Sequence, residues 1–205
     1  MALSTIAAFL LLAGAANASE PFQLLFNGKN LDEWIIDTPG LWSARDGVIT
    51  GKSSGLKYND FLRTKKQYKN FILKVTFRVT DPSGKANSGV QFRSKSIHGS
   101  HEVIGYQADI GQQYWGCLYD ESRRRKVLAQ ASEEALAKIR KDGWNEYVIT
   151  ANGNRITLQL NGVTSAEWVE QEEGIEDSGF IALQLHSGPA LEMQFKDLMI
   201  RELPD

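Results

Sequence analysis

Between residues 71 and 79 the chain reads FILKVTFRV, with Phe71, Leu73, Val75, Phe77 and Val79 alternating against Ile72, Lys74, Thr76 and Arg78. Period-two alternation gives one core face and one wet face, so it predicts a half-buried strand. In NSGVQFRS, Val90 and Phe92 oppose Gln91 and Arg93. In VIGYQADI, Tyr106, Ala108 and Ile110 oppose Gln107 and Asp109, and in FIALQLHSG, Ile181, Leu183 and Leu185 oppose Gln184 and His186. WGCLYDE puts Trp115, Cys117, Tyr119 and Glu121 on one face. Residues 145–170 read as consecutive hairpins that turn at Asn152-Gly153-Asn154 and Asn161-Gly162, where Asn-Gly supplies the positive φ of a tight turn. Only SEEALAKIRKDG (132–143) reads as a helix, capped by Ser132 and stopped by Gly143. Many short strands punctuated by turns predict an all-β, antiparallel sandwich.

Four of these strands carry polar pairs where a plain solvated face would favour Lys, Glu and Thr: Gln91/Arg93, Gln107/Asp109, Tyr119/Glu121 and Gln184/His186. Amides, an Arg, a His and aromatics are the groups that hydrogen-bond hydroxyls and pack on sugar rings. Taken together they predict a polar cleft on one sheet face. His98 and His101 fall in a loop, Cys117 reads as a small packing residue, and Trp34, Trp42, Trp144 and Trp168 read as core or rim.

The first residues lie outside this pattern. Residues 3 to 16 form an apolar run followed by Ala16-Asn17-Ala18, a small-x-small cleavage site. That predicts a signal peptide over 1–18, a domain over 19–205, and a periplasmic or secreted location. The run is shorter than the roughly 18 residues of a membrane span, so no membrane anchor is expected. A single cysteine excludes an internal disulfide framework. With 23 Lys+Arg against 25 Asp+Glu interspersed, no nucleic-acid groove is expected. The basic run Arg123-Arg124-Arg125-Lys126 reads as a solvated loop, and the chain has no phosphate-binding Gly-rich loop, Cys/His metal spacing or Gly-x-Ser-x-Gly elbow.

FQLLFNGKNLDEW, NSGVQFRS, GYQADIG with WGCLYDES, WNEYVITANGNRITLQLNG and IALQLHSGPALEMQFKDLMIREL occur in an order, from Phe22 to Leu203, that resembles the 3-keto-disaccharide hydrolase family. The resemblance implies a concanavalin A-like jelly roll of two antiparallel sheets with a ligand groove on one of them. It also implies a substrate: a glycoside whose sugar a partner 3-dehydrogenase has first oxidised to the 3-ketone.

Such a substrate changes what catalysis requires. A retaining glycosidase needs two carboxyl groups roughly 5 Å apart. Related jelly rolls hold them at alternate positions of one strand, where this chain offers Gln107 and Asp109, one amide and one acid. A 3-keto group acidifies the neighbouring C–H instead. One base, one enolate stabiliser and one acid then suffice for elimination of the leaving alcohol, and water adds afterwards. On this reading Asp109 and His186 are the candidate bases, Arg93 the enolate stabiliser, and Glu121 or Tyr119 the acid. Gln91, Gln107, Gln184, Trp115 and Arg124 bind substrate. A divalent cation is the alternative electrophile, with Asp109, Glu121 and His186 as its ligands. The alternative function is a non-catalytic, lectin-like carbohydrate-binding module.

Overall fold

The computed structural model describes residues 20–81 and 83–205; the leader expected over 1–18 lies outside the described residues. The strands, in chain order, are β1 (Gln23–Leu24), β2 (Trp34–Ile35), β3 (Trp42–Arg45), β4 (Val48–Ser53), β5 (Asp60–Tyr68), β6 (Phe71–Thr80), β7 (Asn87–Ser96), β8 (Val103–Gly111), β9 (Leu118–Glu121), β10 (Lys126–Ala129), β11 (Asn145–Asn152), β12 (Arg155–Leu160), β13 (Val163–Val169), β14 (Gly179–Leu185) and β15 (Leu191–Glu202). They form two antiparallel sheets. One runs β13-β12-β11-β6-β15-β4-β3, with β1 also on β15; the other runs β10-β9-β8-β7-β14-β5-β2. This is the antiparallel sandwich the patterning predicts and the jelly roll the family resemblance implies. No helix among the described residues is long and apolar enough to cross a membrane.

The core lies between the sheets and is built from the alternating residues. Leu73, Val75 and Phe77 on β6, Ile149 on β11 and Phe195 on β15 meet Val90 and Phe92 on β7, Ala108 and Ile110 on β8, and Ile181, Leu183 and Leu185 on β14; all are fully buried. Both predicted hairpin turns are present. Asn161 and Gly162 have φ of 51° and 81°, the paired positive values of a two-residue turn that matches strand twist.

The helix is shorter than the sequence implies: one turn, Glu133–Leu136. Ser132 caps it, its Oγ accepting the Ala135 N–H at 3.2 Å. Asn145 then takes the backbone groups that would have continued it. Its Oδ1 accepts the Arg140 N–H at 2.9 Å and its Nδ2 donates to the Arg140 carbonyl at 2.8 Å. With Ala135 as its one buried residue, the turn has no apolar stripe to repay further helix growth.

Candidate active site

The polar residues of β7, β8, β9 and β14 lie on the outer face of the seven-stranded sheet. Register aligns them in rows: Tyr119–Gln107–Gln91–Ala182 across four strands, with Asp109 opposite Gly89 and Glu121 opposite Gly105 in neighbouring rows. The small residues in these rows are what let long side chains lie flat. A Cβ on Gly89 would sit 2.4 Å from Gln107 Cδ, and one on Gly105 would sit 2.2 Å from Ser94 Oγ.

Across this floor runs a directed chain of hydrogen bonds. Ser94 Oγ donates to Gln91 Oε1 (2.9 Å), Gln91 Nε2 to Gln107 Oε1 (2.8 Å), and Gln107 Nε2 to Asp109 Oδ1 (3.2 Å). Each amide is oriented by the one before it, so the side chains of the floor are held before any ligand arrives.

The chain ends at a pocket of about 140 Å³ lined by Asn87, Gln107, Asp109, Tyr114, Tyr119, Glu121 and His186. Asp109 is buried, and burial is the main reason its pKa rises well above the carboxylate range; the nearby Glu121 charge adds to the rise, against the Gln107 hydrogen bond. Burial likewise pushes Glu121 up to about 7, with help from the Glu102 carboxylate. Tyr119 is raised by the same desolvation and by Glu121. His186 Nδ1 lies 2.6 Å from the Ser187 carbonyl oxygen, an acceptor, which fixes Nδ1 as the protonated nitrogen and leaves Nε2 to take a proton. Two amides of this face are incomplete: among the described residues, Asn87 Oδ1 and both polar atoms of Gln184 are buried without a hydrogen-bond partner. Unpaired buried amides are expensive, and a ligand hydroxyl is the kind of group that would complete Asn87, which lines the pocket.

The backbone under Asp109 is fixed from the other sheet. Tyr147, on β11, passes through the core; its hydroxyl donates to the Asp109 carbonyl and accepts the Gly116 N–H at 3.0 Å.

Residues 21–201 match the 3-keto-alpha-glucoside-1,2-lyase-like domain. The chain belongs to that family. Family membership ties the chain to a carbohydrate-related function. No curated protein matches it in sequence. Among solved structures it is similar to a candidate glycosyl hydrolase from Parabacteroides distasonis (19% identity, 89% of this chain and 94% of that one, TM-score 0.68). It is also similar to the carbohydrate-binding module CBM66 from Bacillus subtilis (15% identity, 86% and 98%, TM-score 0.65). At these identities both show the fold alone.

The pocket brings together five residues the sequence singled out: Gln107, Asp109, Tyr119, Glu121 and His186. Gln91 and Gln184 share the face but lie fully buried beneath it. Three others are elsewhere. Strand parity put Arg93 beside Gln91, but β7 carries a bulge there, with Arg93 at φ 48°. The Arg93 guanidinium instead bonds the carbonyls of Lys69 and Gly153 (both 2.8 Å) and Asn70 Oδ1 (3.1 Å), a structural tie between turns and no part of the pocket. Trp115 precedes β9, and Gly116 at φ 75° breaks the alternation, so its ring stacks on Phe77 of the core at 6.3 Å. Arg124 lies in the β9–β10 turn, paired with Asp120 and with Glu170 at 2.6 Å.

Two pocket residues were missed. Asn87 extends the Gln91 parity by four positions and could have been read from it. Tyr114 sits in a short 3-10 turn (Gln112–Tyr114), where no periodicity marks it. For a cation, the three side chains proposed as ligands line one pocket, yet among the described residues no group of three or more His, Cys, Asp or Glu is placed to hold a metal ion.

Proposed function

We propose that this family member cleaves 3-keto-glycosides by elimination across C1 and C2 of the oxidised sugar. The observation that carries the reading is the pocket itself: an imidazole with its tautomer fixed, two carboxyls biased toward their protonated forms, and an unpaired amide, all converging on about 140 Å³. His186 Nε2 removes the proton from C2, whose acidity the C3 ketone provides. Electron density moves to the ketone oxygen, which the Asp109 carboxyl, biased by burial toward its protonated form, stabilises by a hydrogen bond in the role Arg93 does not fill, while Asn87 Oδ1 accepts from a sugar hydroxyl. The C1–O bond breaks as Glu121 gives its proton to the leaving oxygen; a carboxyl with pKa about 7 suits that role at neutral pH. The C1–C2 double bond that results then adds water, proton to C2 and hydroxyl to C1, for net hydrolysis.

The mature enzyme acts outside the cytoplasm if residues 1–18 are a leader, and a sugar 3-dehydrogenase supplies its substrate; a mature N-terminus at Ser19 tests the first point. To test the chemistry, the protein is incubated in heavy water with a 3-keto-glycoside and with its unoxidised parent. The reading expects cleavage of the ketone alone, with deuterium at C2 of the product. Equal cleavage of the parent refutes it, and binding of either sugar without turnover favours the carbohydrate-binding alternative.

A further inference from the structure

The β7–β8 hairpin does not follow its sheet. Phe92 pairs with Tyr106 and Lys95 with Ile104, so Arg93 and Ser94 together face Gly105 alone. Two residues against one is a bulge, which bends the strand that carries it. Gly105 permits the close approach, since a Cβ there would lie 2.2 Å from Ser94 Oγ.

The contacts give the direction of the bend. Ser94 is opposite Phe180; Leu185, five strand steps or about 17 Å further along β14, is opposite Asp60. A hairpin running straight on from Ser94 would pass the Phe180 end of β14. Its contacts lie the other way. Ser96 Oγ accepts from Arg63 Nη1 at 2.7 Å, and Glu102 accepts from Asn59 Nδ2 at 3.2 and 2.9 Å. The His101 ring stacks on Tyr58, centroids 4.6 Å apart. Residues 96–103 are therefore folded back over the outer face of β14 and β5.

What they cover is small and partly polar. Val103 packs with Phe61, Phe180 and Ala182 in a cluster separate from the core between the sheets. Gln184 lies directly across from Phe61 and two residues from Ala182 on the same face. It is fully buried, and among the described residues neither of its amide atoms has a partner. Between hairpin and sheet a hollow of about 400 Å³ remains, lined by the 96–103 segment and by Asp37, Asn59, Asp60, Phe61 and Arg63. Gln184 separates this hollow from the pocket. Phe61 stands on one side of it; on the other, the β7–β14 register continued by one step brings it beside Gly89, whose partner is the pocket residue Asp109.

Few apolar contacts and hydrogen bonds near the surface mark a segment that opens at low cost. Opening also hydrates the Gln184 amide, which offsets part of what the lost contacts contributed. While the hairpin stays down, the pocket keeps its 140 Å³, below the roughly 300–1,000 Å³ that ordinarily hold a small molecule.

We propose that residues 96–103 are a flap hinged at the bulge, and that lifting it widens the pocket and presents the Gln184 amide to a ring hydroxyl of the bound sugar. The proposal rests on carbohydrate as the ligand and is independent of how the glycosidic bond breaks.

The test locks the flap. Tyr58→Cys with His101→Cys, at two exposed positions, is bridged by a short bis-methanethiosulfonate and released with dithiothreitol; the native Cys117 is buried. Methyl glucoside is then titrated against the imidazole resonance of His186, which lines the pocket. The bridged protein should bind at least about tenfold more weakly than the released one. Gln184→Met, similar in length and without polar atoms, should also bind about tenfold more weakly, yet unfold at a higher urea concentration because the unpaired amide is gone. Equal affinity of the bridged and released forms overturns the flap, and wild-type affinity in Gln184→Met overturns the role of its amide. Turnover of a 3-keto-glucoside is read separately. Binding that depends on the bridge, without turnover in either form, refutes the elimination reading and leaves the flap. Turnover that the bridge does not change refutes the flap and leaves the elimination. If neither sugar moves His186 in the released protein, the carbohydrate reading and the flap fall together.

Discussion

Replacing Glu121 by Gln should make the protein more stable and less active, and the two effects have one cause. A carboxyl whose folded pKa is about 7 and whose ordinary value is 4.5 binds its proton more tightly folded than unfolded. Below about pH 4.5 both states hold the proton and folding carries no penalty from this group. As pH rises through 7 the folded state must ionise against burial, and the fold is destabilised by up to 1.36 kcal/mol for each pKa unit, about 3 kcal/mol in all. The substituted amide has no proton to lose, so the gain should be near zero at pH 4, grow between pH 4.5 and 7, and level off near 3 kcal/mol by pH 8. Urea unfolding of both proteins at several pH values measures it. Turnover of a 3-keto-disaccharide should fall about 10²-fold or more, since protonation of the leaving oxygen is lost. The fall should shrink for a phenol, which leaves without help. A variant no more stable than wild type at pH 9 would refute the burial argument. Undiminished turnover would remove Glu121 from the mechanism.

Glu102→Gln takes away one of the charges that raise Glu121, whose other charged neighbours are Asp120 and Arg125; the alkaline limb of the pH–rate profile should therefore move to lower pH, and an unmoved limb would separate Glu102 from the site. Gly89→Ala drives a methyl into Gln107 and breaks the amide chain to Asp109, so unfolding measurements should show a cost of about 1–3 kcal/mol together with reduced turnover. Arg93→Ala should cost stability, about 1–3 kcal/mol from the unpaired carbonyls and Asn70, while the well-folded fraction keeps its turnover; a specific loss of kcat without loss of stability would restore Arg93 to the chemistry.

The strands were legible because period-two alternation is set by the pleat: β6 keeps it in burial along its length, and β8, β14 and the first half of β7 keep it in sequence, apolar residues against amides and acids. Five site residues follow from that alone. The failures occur where one residue takes a positive φ. Arg93 and Gly116 each break parity, and the side chain before or at the break leaves the face that alternation assigned. Bulges of this kind depend on pairing with distant strands, which no local window contains. The same limit hid the Tyr58–His101 ring stack: the two residues are 43 positions apart in the sequence, and only the approach of the β5 end to the 96–103 hairpin brings their rings together.

The topology also fixes when the site can exist during synthesis. β14 and β15, the last strands in sequence, occupy interior places in the two sheets, β14 between β7 and β5 and β15 between β6 and β4. Until residues 179–202 have emerged, each sheet holds an open slot with two unpaired edges, and His186, at the end of β14, has not joined the pocket. Pairings of such long sequence separation are slow to form, because loop closure precedes the contacts that reward it. A nascent chain of this topology therefore spends its elongation as two incomplete sheets with exposed edges. Chaperone engagement or translocation would meet those edges before the finished sandwich.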